Sequence, residues 1–337
     1  MINLISDTVT KPTAEMLNAM FRAEVGDDVF QADPTINALQ DKAAAMFGME
    51  AALFCPSGTM TNQIAINVHT SDLEEVICEE SSHIYQSEVG GYAYNSRVGV
   101  KLLYGQNGKI TADQVAAAIN PDYDWMPRSS LVVLENTCNK GGGSIYTLEE
   151  IRPISELCRA KGLNLHLDGA RLFNALVETK DSTLEYGKVF DSISICLSKG
   201  LGAPVGSLLI GNQKLIKQAR RLRKVLGGGM RQAGYLAAAG IFALDNNMQQ
   251  LKKDNDRAKQ IGEVLKGLPY VAKLCPVQSN IVIFDTIPGI TANAFIEKLK
   301  ANGILAAPFG AQTVRFVTHL DVTDEMMESV LEILPKL

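Results

Sequence analysis

The sequence predicts an α/β fold: a large, doubly wound and mostly parallel sheet with a smaller C-terminal α/β lobe. Three observations predict it. Short apolar runs alternate with helix-period segments along most of the chain, as they do where crossover helices cover both faces of a parallel sheet. At 337 residues the chain is long for one core. From Gln249 onward a charged amphipathic helix opens a second, shorter alternation of strands and helices.

The first residues, with Lys11-Pro12-Thr13 ahead of a helix, read as an arm rather than a strand of the main sheet. A helix over 35–47 places Ile36, Leu39, Ala43 and Phe47 on one face, and Gly48 stops it. Strand 51–55, helix 59–68, strands 75–78 and 99–103, helix 111–119 and strand 130–134 follow. Helix 148–161 then precedes strands 164–167, 192–197 and 205–210. The turn between the last two is too short for a parallel crossover, so the final strand should run antiparallel. The smaller lobe reads as helix 252–266, strand 280–284, helix 291–302, strands 304–307 and 313–318, and helix 323–337. The expected division is an arm over 1–15, a large domain over 16–250 and a small domain over 251–337.

Composition narrows the function. Hydrophobic residues make up 46% of the chain, with 28 Gly and 12 Pro, which suits a soluble enzyme. A net charge of -5 leaves no basic footprint for nucleic acid. The six cysteines include no Cys-x-x-Cys pair, so a reducing cytoplasm is expected and no metal site is. The start of the chain has no basic leader, and the longest apolar stretch, 235–244, is shorter than the roughly 20 residues a span needs. No membrane association is expected.

Three segments carry the chemistry. In Ser194-Ile195-Cys196-Leu197-Ser198-Lys199-Gly200-Leu201-Gly202 an apolar strand delivers one lysine into a glycine-lined turn. Desolvation there disfavours an ammonium and frees an amine for a Schiff base. In His166-Leu167-Asp168-Gly169-Ala170-Arg171 another strand end carries a carboxylate and a guanidinium. Asp168 either caps its turn or bonds a protonated ring nitrogen, and Arg171 either makes a surface ion pair or offers a planar fork to a carboxylate. Ser57-Gly58-Thr59, where a strand turns into a helix, reads as an N-cap, an anion cradle, or both. All lie at carboxyl ends of strands, where open α/β sheets bind ligands. Together they are the equipment of a pyridoxal-phosphate enzyme.

Of the four histidines, His83 could stack on an aromatic cofactor. His166 reads as a packed histidine, and His69 as a favourable charge at a helix C-terminus. Arg315, inside a strand, should face the cleft or a partner. Gly227-Gly228-Gly229-Met230-Arg231 suggests close backbone approach at a subunit boundary.

With these motifs, and with Ser6-Asp7-Thr8-Val9-Thr10-Lys11-Pro12, Gly26-Asp27-Asp28-Val29 and Arg315-Phe316-Val317-Thr318-His319, nearly the whole chain resembles the L-threonine aldolases of pyridoxal-phosphate fold type I. The resemblance implies pyridoxal 5'-phosphate held by Lys199, with Asp168 on the ring nitrogen and His83 over the ring. It gives Ser57, Gly58 and Thr59 to the phosphate, and Arg231 to the same group, either within the subunit or from a neighbouring one. Ser6, Arg171 and Arg315 would bind the substrate carboxylate. A homotetramer built from dimers with shared sites is also implied. One departure falls after Glu135-Asn136-Thr137, where Cys138 stands in place of the family's usual histidine; that position is expected at the substrate hydroxyl. Phe30 and Ser87 replace a frequent tyrosine and a common aromatic. The implied reaction cleaves threonine, allo-threonine or a related β-hydroxy-α-amino acid to glycine and an aldehyde. Racemisation or β-elimination on the same scaffold is the alternative, and a silent cofactor-binding protein is a third reading.

Overall fold

In the computed structural model, which describes residues 1–337, the chain opens with strand β1 (Ile2–Asn3) and helices α1 (Ala14–Phe21) and α2 (Pro34–Phe47). Asp33 caps α2 through the Ile36 N–H, and Gly48 ends it at φ 61°, a left-handed conformation that favours glycine. Then come β2 (Ala51–Cys55), α3 (Gly58–His69), β3 (Glu75–Glu79), the short helices α4 (His83–Gln86) and α5 (Gly91–Ser96), and β4 (Gly99–Leu103). Capping boxes at Thr111 and Thr147 start α6 (Ala112–Ala118) and α7 (Leu148–Lys161), which flank β5 (Ser129–Glu135). Next are β6 (Asn164–Gly169), α8 (Leu172–Thr179), α9 (Thr183–Val189), β7 (Ser192–Cys196), β8 (Ser207–Gly211), α10 (Gln213–Val225) and α11 (Gly234–Asn246).

The seven-stranded sheet has the order β2-β8-β7-β6-β5-β3-β4. Strands β3 to β7 pair in parallel, whereas β8 runs antiparallel to both β7 and β2. The short turn after Leu197 therefore reverses the chain as its length requires. Strands β3, β5, β7 and β8 are buried along their whole length, because helices cover both faces. Helices α8 and α9 escape the sequence reading. The first begins at Leu172 behind Arg171, which makes no side-chain cap, so no start signal announces it.

The C-terminal elements are α12 (Gln250–Leu265), β9 (Val271–Leu274), β10 (Ile281–Thr286), α13 (Ala292–Ala301), β11 (Ile304–Leu305), β12 (Ala307–Pro308), β13 (Thr313–Val317) and α14 (Asp324–Ile333). Strands β12-β13-β10-β9 form an antiparallel sheet. Strand β9 was not anticipated: its middle residues Ala272 and Lys273 are solvent-exposed, so it lacks an apolar run. The strand expected over 304–307 divides into β11 and β12. The arm is fastened to this lobe. Strand β1 pairs in parallel with β11, Leu4 lies in the apolar cluster with Phe284, Phe295 and Phe316, and the Val317 N–H donates to Leu4 O at 2.9 Å. Residues 5–10 are thereby carried to the carboxyl ends of β6 and β7. No helix is long and apolar enough to cross a membrane.

Candidate active site

Helix α3 organises the site. Its N-cap Ser57 accepts from the Met60 N–H at 3.2 Å, while the N–H groups of Gly58 and Thr59 meet no protein acceptor. Cap and open anion site are thus present together. A Cβ on Gly58 would lie 2.7 Å from Cys196 Sγ, so only glycine lets the helix start approach β7 this closely. One turn on, Thr61 Oγ1 meets Ser194 Oγ at 2.6 Å, and Asn62 Nδ2 donates to Asp168 Oδ2 at 2.8 Å. One helix face thus joins the anion end to the ends of β6 and β7.

Lys199 follows β7, with its Nζ 3.6 Å from Cys196 Sγ. Its carbonyl accepts from Thr10 Oγ1 at 2.9 Å and from the Gly202 N–H at 2.8 Å, which fixes the turn that presents the side chain. Asp168 is 2% exposed; besides Asn62, the Ala170 N–H donates to its Oδ1 at 3.2 Å. The His83 N–H donates to Glu135 Oε2 at 2.6 Å, and its Nδ1 lies 2.9 Å from Glu88 Oε1. Polar side-chain atoms of His83, Glu88 and Asp168 fall within 4.8 Å of one another. The Glu88 hydrogen bond raises the His83 pKa above its ordinary value despite burial. Burial and the neighbouring Asp168 push Glu135 up to about 7, against the pull of the Asn139 and His83 N–H groups. Glu88, Glu135 and Asn62 were not singled out from sequence, since each matters through a distant partner.

At the other end, Arg171 has a partner that its place in the sequence does not announce. Its Nε and Nη2 donate to Asp7 Oδ2 and Oδ1 at 2.7 and 2.8 Å, so the planar fork holds a carboxylate of the chain itself. Burial alone would raise the Asp7 carboxyl, but Arg171, with smaller help from Lys199 and Asn280, holds it at about 2. Arg315 donates from Nη1 to Asn139 Oδ1 at 3.0 Å and from Nη2 to Ile5 O at 3.1 Å. It sits 4.6 Å over the Phe309 ring, and its buried Nε has no partner. Burial, then repulsion from Arg171, lowers its pKa to about 10. Ser6 Oγ accepts from the Thr8 N–H at 3.2 Å and lies 3.5 Å from Asp7 Oδ1. Two guanidiniums against one carboxylate leave one positive charge, suited to an incoming anion.

Two expected residues are not delivered to this cluster. Cys138 was expected at the substrate. Instead its thiol, 3% exposed, donates to Glu135 O at 3.0 Å and Gly108 O at 3.4 Å, and burial raises its pKa well above the usual thiol value. It is a neutral packing group. Cys138→Ala is therefore expected to change aldehyde release by less than about twofold, since the losses are two weak sulfur contacts to backbone carbonyls; kcat/KM on both threonine diastereomers checks this. Arg231 donates to Asp27 Oδ2 at 2.8 Å with its side chain 61% exposed, so within this chain it does not turn to Gly58 and Thr59.

His69 also corrects a reading. Rather than a charge at a helix end, burial and then His166 lower its pKa to about 3, while burial lowers His166 to about 4. Both are neutral in the fold, whereas a free histidine titrates near ~6.5. Below that pH the unfolded chain takes up protons that the folded chain refuses, so these groups make stability fall as pH drops from about 6.5 to about 4. Glu135, with its folded pKa raised, works in the opposite direction as pH falls from about 7 toward ~4.5. His166→Gln is expected to flatten the acid loss of stability; urea midpoints between pH 6.5 and pH 4 check it, and an unchanged slope would exclude the assignment.

A family model described as beta-eliminating lyase matches residues 3–287. The low specificity L-threonine aldolase of Escherichia coli (strain K12) is 44% identical over 335 residues, covering 98% of this chain and 97% of that protein. Low-specificity L-threonine aldolase 1 of Arabidopsis thaliana is 39% identical, covering 96% and 92%. A solved threonine aldolase of Leishmania major shares the fold at a TM-score of 0.86 and 24% identity, covering 100% of this chain and 99% of that one.

Proposed function

The chain belongs to the beta-eliminating lyase family, among the threonine aldolases, and we infer from that premise how its site works. It is a carbon–carbon lyase that cleaves L-threonine, L-allo-threonine or a related β-hydroxy-α-amino acid to glycine and an aldehyde. The observation that carries the reading is the convergence of Lys199, Asp168, an open helix N-terminus and one unbalanced guanidinium at one end of the sheet.

Pyridoxal 5'-phosphate fits these residues. The free N–H groups of Gly58 and Thr59, with the Ser57 and Thr59 hydroxyls, suit its phosphate; the Lys199 amine suits its aldehyde, Asp168 its ring nitrogen and His83 its ring face. When bound, it supplies an electron sink for the carbanion left by bond cleavage. The substrate carboxylate binds Arg315, Ser6 and the edge of Arg171 that Asp7 leaves free. That clamp fixes rotation about Cα and so selects which bond breaks. His83, its Nδ1 held by Glu88, keeps Nε2 for the β-hydroxyl proton, directly or through a water it orients. Because Glu88 favours the protonated imidazole, the base form grows only as pH rises through a value above ~6.5. We expect kcat/KM to rise across that range, and Glu88→Gln to move the rise to lower pH.

Arg231 is assigned to a cofactor phosphate of a second copy, which its exposure supports, in a homotetramer of dimers with shared sites. Free cysteines throughout suit a cytoplasmic setting. The test of the function is condensation: loaded protein given glycine and acetaldehyde should form threonine and allo-threonine. Failure to form either, with racemisation or elimination in their place, would favour the other chemistry open to this scaffold.

A further inference from the structure

Behind the site a buried polar chain runs from His69 to the carboxylates of Asp168 and Glu88. His69 Nε2 meets Ser192 Oγ at 2.7 Å, and the same oxygen lies 2.7 Å from His166 Nδ1. His166 Nε2 is 3.2 Å from Asn62 Oδ1. Asn62 Nδ2 then reaches two acceptors, Asp168 Oδ2 at 2.8 Å and Glu88 Oε1 at 2.9 Å. Glu88 Oε2 accepts from Gln63 Nε2 at 2.6 Å. Asn62, Gln63, Glu88, His166, Asp168 and Ser192 are all buried, at 0–4% exposure.

Donor chemistry gives this chain one direction. Carboxylates only accept, so the Asn62 amide must turn both N–H groups toward Asp168 and Glu88 and its oxygen toward His166. His166 therefore donates from Nε2 and accepts at Nδ1. Ser192 donates to that nitrogen and accepts from His69 Nε2–H. With both carboxylates ionised and both histidines neutral, this arrangement satisfies each of these side-chain contacts.

We propose that Asn62 is a positioning residue that sets the proton balance of the site: it gives one N–H to the carboxylate facing the cofactor ring and the other to the carboxylate holding His83. Without it, Asp168 keeps only the Ala170 N–H and Glu88 only Gln63 and His83, and buried carboxylates this close bind an extra proton more readily. With it, both carboxylates are hydrogen-bonded as anions, and the proton they attract is left to His83, whose Nδ1 faces Glu88. The groups facing His83 are Glu88, Asp168 and Glu135, with Asn62 and Gln63 reaching the carboxylates from α3; of these only Asn62 bridges the two carboxylates. The inference rests on the roles given above to Asp168 and His83.

The test is the His83 imidazole titration, followed by histidine-labelled NMR on the full chain with and without pyridoxal phosphate. Asn62→Ala and Asn62→Asp each raise the proton affinity of the cluster, so the alkaline midpoint should move up by about one pH unit. A conservative pair keeps the test open if those variants do not fold. His166→Leu removes the donor to the Asn62 oxygen and should shift the midpoint upward, whereas His166→Gln retains a donor and should restore it. A purely structural role lowers thermal stability in all variants without moving the midpoint. Unchanged midpoints in the folded Asn62 variants, or equal midpoints in His166→Leu and His166→Gln, overturn the proposal. Because this readout needs no turnover, its failure leaves the aldolase reading intact.

Discussion

Lys199→Ala is expected to lose the visible absorbance of the cofactor-loaded protein and to release aldehyde on the order of a thousandfold or more slowly, as removal of a covalent catalytic group does. The amine lies 3.6 Å from Cys196 Sγ, and Gly58 borders the same sulfur, so an added Cβ there would sit 2.7 Å from it. Strand end and phosphate cradle thus meet at one atom. Thr10 and Gly202 hold the Lys199 carbonyl, and neither contact involves the side chain. The variant should therefore keep its fold and its thermal midpoint. A folded Lys199→Ala protein that retains the absorbance and the rate would remove Lys199 from the site.

The second large effect concerns Asp7. Its carboxylate is fully buried and makes two short bonds to a guanidinium that is only 7% exposed. Truncating one partner of such a pair leaves the other charge buried without compensation, at a cost of about 3–5 kcal/mol. Asp7→Ala is expected to lose about that much stability in urea denaturation, and to weaken substrate binding by releasing Arg171 from its orientation. Asp7→Asn, which keeps the shape and one acceptor, should lose less. Because the folded pKa is lowered to about 2, the contribution is full well above the ordinary carboxylate range and is lost as pH falls from ~3.8 through about 2. A loss below about 1 kcal/mol in Asp7→Ala would mean the pair contributes no more than an exposed one.

The features legible in the sequence are those written locally. An apolar run ending in Lys199 beside glycines announces a strand end, and the brief turn before β8 announces a reversal. Ser57 announces a cap. The partners that define the site are non-local: Asp7 lies 164 residues from Arg171, and Asn62 lies 106 from Asp168. Nothing in the spacing of Arg171 tells a fork already filled by Asp7 from one open to substrate. Cys138 shows the same limit, since its position in the chain says that it follows β5 but not that its thiol turns to backbone carbonyls. Strand β9 was hidden for another reason: as a half-exposed edge strand it carries too little apolar pattern to be read.

The measurement that bears most directly on cleavage of the Cα–Cβ bond is the product balance of loaded protein consuming L-threonine. One glycine and one acetaldehyde for each threonine, with neither ammonia nor 2-oxobutyrate, is the expected result. Release of ammonia and 2-oxobutyrate in place of glycine would contradict it.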